Sequence, residues 1–324
     1  MAQASKKTIS VLVITYNHDK YLGKALEGIL SQKVNARIEI IIADDCSTDR
    51  TVVLAEAYRS KHPDTIRILS SPRNIGHTRN YERAWKSAQG EYIAHCDGDD
   101  YWTDPNKLAK QLDFLENHPN YSCCAHKVWA ISEEDNSTHG PIPRTEKDTF
   151  DTSAMLEACF PHNCSLFFRN HLFLELPPFF FKLTGHDWCI DILNSLRGPI
   201  KIMPEVMGVW RMRSQGLWGG RQSSFHLEHN VFFLKEIRTF LPRSAQSAQK
   251  ANLLKHYFLL SCAYLDEGNL PKAKETLKEL KTFESLRILK KRKLLSLWAQ
   301  LNFPAIYQTL RQLRNQTLGE PPSA

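Results

Sequence analysis

The 324-residue chain has 42% hydrophobic residues, enough to build the core of one large α/β domain, or of one domain with a small appendage. Its longest apolar stretches, such as Ile9–Ile14 and Phe179–Phe181, fall far short of the ~18 residues a membrane span requires, and the short run after the polar Met1–Lys7 reads as a first strand rather than a signal peptide. The formal net charge of +7 sits in the tail, where residues 221–324 hold 17 Lys and Arg against 8 Asp and Glu; no groove-reading motif accompanies it, so nucleic acid is not an expected partner.

Thr8 to Tyr16 reads as a buried strand. The turn Thr15-Tyr16-Asn17-His18 then leads into a helix whose apolar positions Leu22, Leu26, Ile29 and Leu30 recur at helical spacing. Arg37 to Ala43 is a second, Ile-rich strand, followed by Asp44-Asp45-Cys46-Ser47-Thr48-Asp49 and a helix through Ser60. Two strand-loop-helix units in succession argue for a parallel sheet whose loops gather at the carboxyl ends of the strands. The first loop has no glycine before Gly23, so it is not a dinucleotide-binding G-x-G-x-x-G turn, and no phosphate-binding P-loop occurs. Asp44 and Asp45 have a plain alternative role in turn formation and helix capping.

Thr65 to Ser70 is a third strand, Asn74 to Asn80 a loop, and Tyr81 to Ala88 a helix. The chain then reaches Gly90-Glu91-Tyr92-Ile93-Ala94-His95-Cys96, a short apolar strand that runs directly into Asp97-Gly98-Asp99-Asp100. Carboxylates just past a strand end, on a turn that Gly98 allows to fold tightly, suit a hard divalent cation, Mg²⁺ or Mn²⁺, shared with a phosphorylated substrate. The competing reading is a solvated Asp-rich turn. Pro105 is expected at the first position of the next helix, Tyr121 to Ile131 as a strand, and residues 132–150 as a polar loop. The eight cysteines, with no CxxC pair and no zinc spacing, read as reduced core thiols of a cytoplasmic protein.

The ordered series Thr15-Tyr16-Asn17, Asp44-Asp45-x-Ser47-x-Asp49, Asn74-x-Gly76 with Arg79-Asn80, Gly90-Glu91-Tyr92-Ile93 and Asp97-x-Asp99-Asp100 resembles the family 2 glycosyltransferases of GT-A type, over about residues 8–215. The resemblance implies a Rossmann-like, mixed but mostly parallel sheet flanked by helices, and an inverting, metal-dependent sugar transfer. Its donor would be a nucleotide-diphosphate sugar, UDP-linked, and its acceptor a glycan or lipid-linked hydroxyl, as in bacterial surface polysaccharide synthesis. It also implies that Thr15, Tyr16 and Asn17 line the nucleotide site, with Tyr16 stacking on the base, Asp45 accepting a hydrogen bond from it, and Arg79 near base or diphosphate. Asp97 would bind ribose and, with Asp99 and Asp100, the metal.

The turn His162-Asn163-Cys164-Ser165 resembles a family segment on the acceptor side. Gly185-His186-Asp187-Trp188 opens a helix where the family has a Glu-Asp pair; Asp187 matches the catalytic base and His186 stands in place of Glu. In Val209-Trp210-Arg211-Met212-Arg213, which resembles the start of a loop that closes over the diphosphate, Arg213 replaces a His. Two readings from other classes compete: a nucleotidyltransferase, disfavoured because the first loop lacks basic and glycine residues, and a non-catalytic scaffold with a vestigial nucleotide-sugar domain.

The expected domains are a catalytic one over 1–220 and a helical extension over 221–324. The extension reads as helices over Phe225–Leu241, Ala245–Asp266, Pro271–Phe283 and from Leu286 to about Arg314. Within it, Tyr257–Leu280 resembles a single tetratricopeptide-type hairpin, a unit that cannot bury its face alone and so is expected to pack on the catalytic domain or on another chain, as an oligomer contact. Lys290-Lys291-Arg292-Lys293 with Leu294, Leu295, Leu297 and Trp298 reads either as a basic amphipathic helix on the inner membrane face or as a solvated charge run.

Overall fold

The computed structural model describes residues 6–157, 161–280, 296–298, 300 and 301. The chain divides into two compact units, Met1–Gly220 and Arg221–Ala324. In the first, β1 (Thr8–Thr15), α1 (Leu22–Leu30), β2 (Arg37–Asp44), α2 (Thr51–Lys61), β3 (Ile66–Ser70), α3 (His77–Ser87) and β4 (Tyr92–His95) alternate as their hydrophobic periods predict. There follow β5 (Tyr101–Trp102), α4 (Lys107–Asn117), β6 (Cys123–Ser132), β7 (Thr138–Ile142), β8 (Thr149–Phe150), α5 (Thr152–Glu157), β9 (Phe167–Arg169), α6 (Asp187–Ser195) and β10 (Ile200–Met212).

These ten strands form one mixed sheet in the order β3-β2-β1-β4-β9-β6-β10-β5, with β7 beside β6 and β8 beside β10. β1 pairs in parallel with β2 and β4, and β6 with β10, whereas β9 runs antiparallel to β4 and β6. β1 and β2 are apolar almost throughout because helices cover both faces of a parallel sheet; Ile9, Val11, Leu12, Val13, Ile40, Ile41 and Ile42 are all fully buried. The parallel register, Thr15 opposite Asp44 and Leu12 opposite His95, brings the ends of β1, β2 and β4 to one edge. The aspartate turn, the Tyr16 loop and the Asp45 loop are therefore neighbours.

Several local expectations are corrected. α3 starts at His77 rather than Tyr81, after Gly76 at φ +90°, so His77, Arg79 and Asn80 are on a helix instead of in a loop. Pro105 stands two residues before α4, in a turn whose Asp104 carboxylate accepts from Asn106 N at 2.8 Å. Residues 132–150 are not a free loop, since β7 and β8 pair with β6 and β10 there. The segment from Val209 is the end of a 13-residue strand; register shifts between Met203 and Gly208 bend it, and its antiparallel pairing with β5 brings Arg211 and Arg213 beside the aspartate turn.

Five cysteines (Cys96, Cys123, Cys124, Cys164 and Cys189) are buried thiols as expected; Cys46 and Cys262 are half-buried, and Cys159 lies outside the described residues. In the second unit, α7 (Ser223–Ile237), α8 (Arg243–Asp266) and α9 (Leu270–Lys278) enclose a separate core that includes Val231, Leu254, Leu260, Tyr264, Ala273 and Leu277. Ser261 Oγ donates to Ala273 O at 2.8 Å, and Asn269 caps α9. The basic run Lys290–Lys293 lies outside the described residues, and among those described no helix is long and apolar enough to cross a membrane.

Gly90 shows why the entry to β4 takes no side chain: a Cβ there would stand 2.7 Å from Ser10 N and 2.8 Å from Thr8 O, both fixed backbone. Gly90→Ala is expected to destabilise the fold by about 1–3 kcal/mol, the usual cost of overpacking, measured as a lowered urea midpoint at unchanged m-value.

Candidate active site

The floor of the site is the turn after β4. Gly98 N donates to Ile14 O at 2.9 Å and Asp100 N to Asp97 O at 3.0 Å, so the turn is fastened to β1 and closed on itself. A Cβ on Gly98 would meet Thr15 Oγ1 and His18 Nδ1 at 2.8 Å, which is why the chain passes there only as glycine. The three carboxylates do not form a common cage, because each has a different partner. Asp97 Oδ2 accepts from Asn163 Nδ2 at 2.9 Å, while its Oδ1 is buried with no hydrogen-bond partner. Asp99 pairs with Arg213, Nη2 at 2.6 Å and Nε at 2.9 Å, and has His18 Nε2 at 3.6 Å. Asp100 is 2% exposed; its Oδ1 accepts from Arg211 N at 3.0 Å and its Oδ2 lies 3.5 Å from His162 Nδ1.

These partners set the charges. Burial and the neighbouring Asp99 push Asp97 up to about 7. Burial, then Asp99 and Asp97, holds Asp100 well above the ordinary carboxylate value. Burial also works to raise Asp99, but His18 and Arg213 outweigh it and bring that group below its usual value. A hard cation fits the oxygen donors here, since the orphaned Asp97 Oδ1 and the adjoining Asp99 carboxylate provide ligand atoms. Asp100 instead ties β10 to the turn.

The nucleotide-side residues converge less uniformly. Tyr16 stands 43% exposed at the mouth. Asn17, at φ +55°, bridges two loops: its N–H donates to Ser47 Oγ at 2.9 Å and its Oδ1 accepts from Thr48 N at 2.8 Å. Thr15 is buried, its hydroxyl without a partner. Asp44 caps the second loop through Ser47 N, as the plain reading of that motif expects. The two Asp45 oxygens take Ile75 N at 2.8 Å and Gly76 N at 2.9 Å, pinning the loop before α3. Arg79 points outward, its guanidinium 5.0 Å over the Phe181 ring, while Arg83, which drew no attention in the sequence, bonds Asp44 O and Leu69 O. Arg211 lies over Tyr101, with its guanidinium on Asp99 O.

Asp187 opens α6, and its side chain is 40% exposed. Burial of its surroundings, then the charge of Asp97, raises it to about 6, while His77 pulls it down. Asp187, 90 positions after Asp97 in sequence, thus lies within reach of that carboxylate's charge. The loop after Arg213 turns back over this side, where Trp218 packs so closely on Gly185 that a Cβ there would lie 2.6 Å from the indole. Behind the pocket runs a buried polar chain that the sequence did not signal. Asn163 Oδ1 meets His95 Nδ1 at 2.5 Å, His95 Nε2 meets Tyr81 Oη at 3.3 Å, and the Tyr81 ring packs on His186 with centroids 4.0 Å apart. Asn163 therefore serves Asp97 directly.

The family model described as "Glycosyl transferase family 2" matches residues 10–173, just over half of the chain. This chain belongs to that family. An uncharacterised protein of Mycobacterium tuberculosis is 33% identical to this family 2 member over 211 residues, 65% of this chain and 60% of that one, so the chain spans about 60% of the length of such relatives. The poly(ribitol-phosphate) beta-N-acetylglucosaminyltransferase TarS of Staphylococcus aureus is 33% identical over 111 residues, 34% of this chain and 19% of TarS. A crystal structure of S. aureus TarS 1–349 in complex with UDP-GlcNAc superposes with a TM-score of 0.63 at 19% identity, covering 98% of this chain and 93% of that one. The mannosyltransferase PcManGT of Pyrobaculum calidifontis, in complex with GDP-Man and Mn²⁺, gives 0.57 at 17% identity, covering 95% and 84%. The GT-A-type fold expected for this family, with its helical C-terminal region, is thereby established.

Asp191, one turn after Asp187, gives a test of the site's electrostatics. It is fully buried, neither carboxylate oxygen has a partner, and burial followed by the Asp187 charge raises it well above its ordinary value. A carboxyl whose folded value is raised gives stability that is full below its unfolded value near 4 and lost as pH climbs toward the folded one. Asp191→Asn is therefore expected to flatten the loss of stability as pH rises above about 4, read from urea midpoints of wild type and variant.

Proposed function

We propose that this family 2 chain is an inverting glycosyltransferase that moves a sugar from a nucleotide-diphosphate donor, UDP-linked, to a hydroxyl of a glycan or lipid-linked acceptor in surface polysaccharide synthesis. The observation that carries the reading is the buried chain that runs from Asn163, which donates to Asp97, through His95 and Tyr81 to His186, the residue before Asp187, with Arg211 and Arg213 beside the aspartate turn. The complex of the TarS fold neighbour with UDP-GlcNAc supports the choice of donor, and free buried thiols suit a reducing, cytoplasmic setting.

In this reading Tyr16 stacks on the base, Thr15 and Asn17 shape the ribose side, and Asp45 holds the loop wall. Arg79 swings from Phe181 toward the diphosphate. A divalent cation, Mn²⁺ or Mg²⁺, held by Asp97 and Asp99 would supply Lewis-acid neutralisation of the departing diphosphate. Arg213 leaves Asp99 for the phosphates, a contact a guanidinium makes at any working pH. Asp187 takes the proton from the acceptor hydroxyl as its oxygen attacks the anomeric carbon from the face opposite the leaving diphosphate, which inverts the configuration. A carboxylate raised to about 6 is still mostly ionised at neutral pH and is a stronger base than an ordinary aspartate. Positioning of acceptor against donor is the main work of the remaining walls.

Asp187→Asn is expected to lower kcat by roughly 10²–10⁴-fold while leaving UDP affinity by calorimetry unchanged. Asp97→Asn and Asp99→Asn should instead weaken nucleotide binding in the presence of Mn²⁺. Because the base acts ionised, the wild-type rate should rise with pH through about 6 and level off above it, in a transfer assay with saturating donor. Full transfer by the Asp187→Asn protein would end the assignment.

A further inference from the structure

Beside Asp187 lies a pair of imidazoles that the transfer chemistry does not use. His77, the first residue of α3, and His186, the residue before α6, are 109 positions apart in sequence, yet His77 Nε2 and His186 Nδ1 stand 2.8 Å from each other. His186 Nδ1 is in turn 3.8 Å from Asp187 Oδ1. Two imidazole nitrogens and one carboxylate oxygen are thus gathered with all three ligand atoms within 4.8 Å of one another.

The arrangement is built rather than incidental. His186 is wholly buried, with the Tyr81 ring centroid at 4.0 Å and the His77 ring at 4.7 Å, so its ring orientation is fixed by packing. The sequence departs here from the Glu-Asp pair expected at this helix start, and the substitution provides a nitrogen donor in place of an oxygen. Both imidazoles are held below their ordinary value, first by burial, so neither ring is cationic at neutral pH, and a bound ion would displace only the one proton that their 2.8 Å hydrogen bond shares. The 40% exposure of the Asp187 side chain leaves an entry path from the cleft. Two nitrogens, one oxygen and an open fourth position make a donor set for a borderline ion such as Zn²⁺, not for Mg²⁺, which prefers oxygens throughout.

We propose that His77, His186 and Asp187 form a transition-metal site of Zn²⁺ type, separate from the aspartate turn, whose occupation takes the carboxylate lone pair that the acceptor proton needs. The second clause rests on the assignment of Asp187 as base; the first does not. The second gathering of ligating side chains, Asp100, His162 and Cys164, is the natural rival. It is closed by comparison: burial holds the Cys164 thiol well above its ordinary value, and Asp100 Oδ1 already accepts from Arg211 N.

The test uses the full chain stripped of metal by a chelator and then dialysed. Zn²⁺ binding is followed by calorimetry, and Co²⁺ binding by the visible absorption of a four-coordinate site. Wild type is expected to bind one Zn²⁺ that His77→Gln weakens at least about tenfold, since losing even an outer partner of a ligand costs that much. His162→Gln should leave this affinity and the Co²⁺ spectrum unchanged. His77 is only partly buried, so its variant should fold, and circular dichroism checks that it does. Zn²⁺ affinity unaltered by His77→Gln, or abolished by His162→Gln, or absent from wild type, would each overturn the site. In a transfer assay with saturating Mg²⁺, added Zn²⁺ should inhibit wild type, with the half-inhibitory concentration at least about tenfold higher for His77→Gln. Zn²⁺ that binds through His77 without slowing transfer would uphold the site and remove Asp187 from the base role.

Discussion

The fold is arranged around one electrostatic constraint: three aspartates within four residues, all drawn toward the interior, must be prevented from repelling one another. Each is handled by a different part of the chain. Asn163 donates to Asp97, Arg213 pairs with Asp99, and the Arg211 backbone amide caps Asp100. Those partners lie 66 to 114 positions along the sequence from their aspartates, so the charge of the turn is balanced only once β9 and β10 have joined the sheet. The bend in β10 and its short pairing with β5 bring both arginines to the turn.

A second layer supports that arrangement from behind. The chain Asn163, His95, Tyr81 and His186 is buried, and burial pushes His95 down to about 4, so these rings act as neutral hydrogen-bonding and packing groups rather than as charges. It links the segment that holds Asp97 to the segment that carries Asp187. Packed rings and buried hydrogen bonds of this kind hold the groups at either end in one arrangement.

Cations are distributed by the same logic. Lys107 is fully buried with its ammonium 3.8 Å over the Trp102 ring, and burial lowers it to about 8; it props the strand after the turn from inside. Arg213 and Arg211 are the positive groups on the open side, stacked above Tyr21 and Tyr101. A guanidinium can leave a carboxylate for a phosphate at small cost, because both are planar or polyanionic acceptors of its fork of donors.

The alternating hydrophobic periods of residues 8–100 determined the strands, the helices and the edge at which the loops collect, because a parallel register of apolar strands leaves little freedom once each strand is identified. The motifs Thr15-Tyr16-Asn17, Asp97-x-Asp99-Asp100 and His186-Asp187 were legible for the same reason: their residues are close in sequence and sit at strand or helix ends. The partners of those residues were not legible. Asp45 pins a loop, Arg79 faces outward and Asn163 serves Asp97, because which atom meets which depends on side-chain directions across the assembled sheet. The extra turn at the start of α3, which puts His77 against His186, follows from Gly76 at positive φ and from packing on α6, neither of which has a sequence period. Local periodicity reports what a segment buries; only tertiary structure decides which distant polar groups share the space that remains.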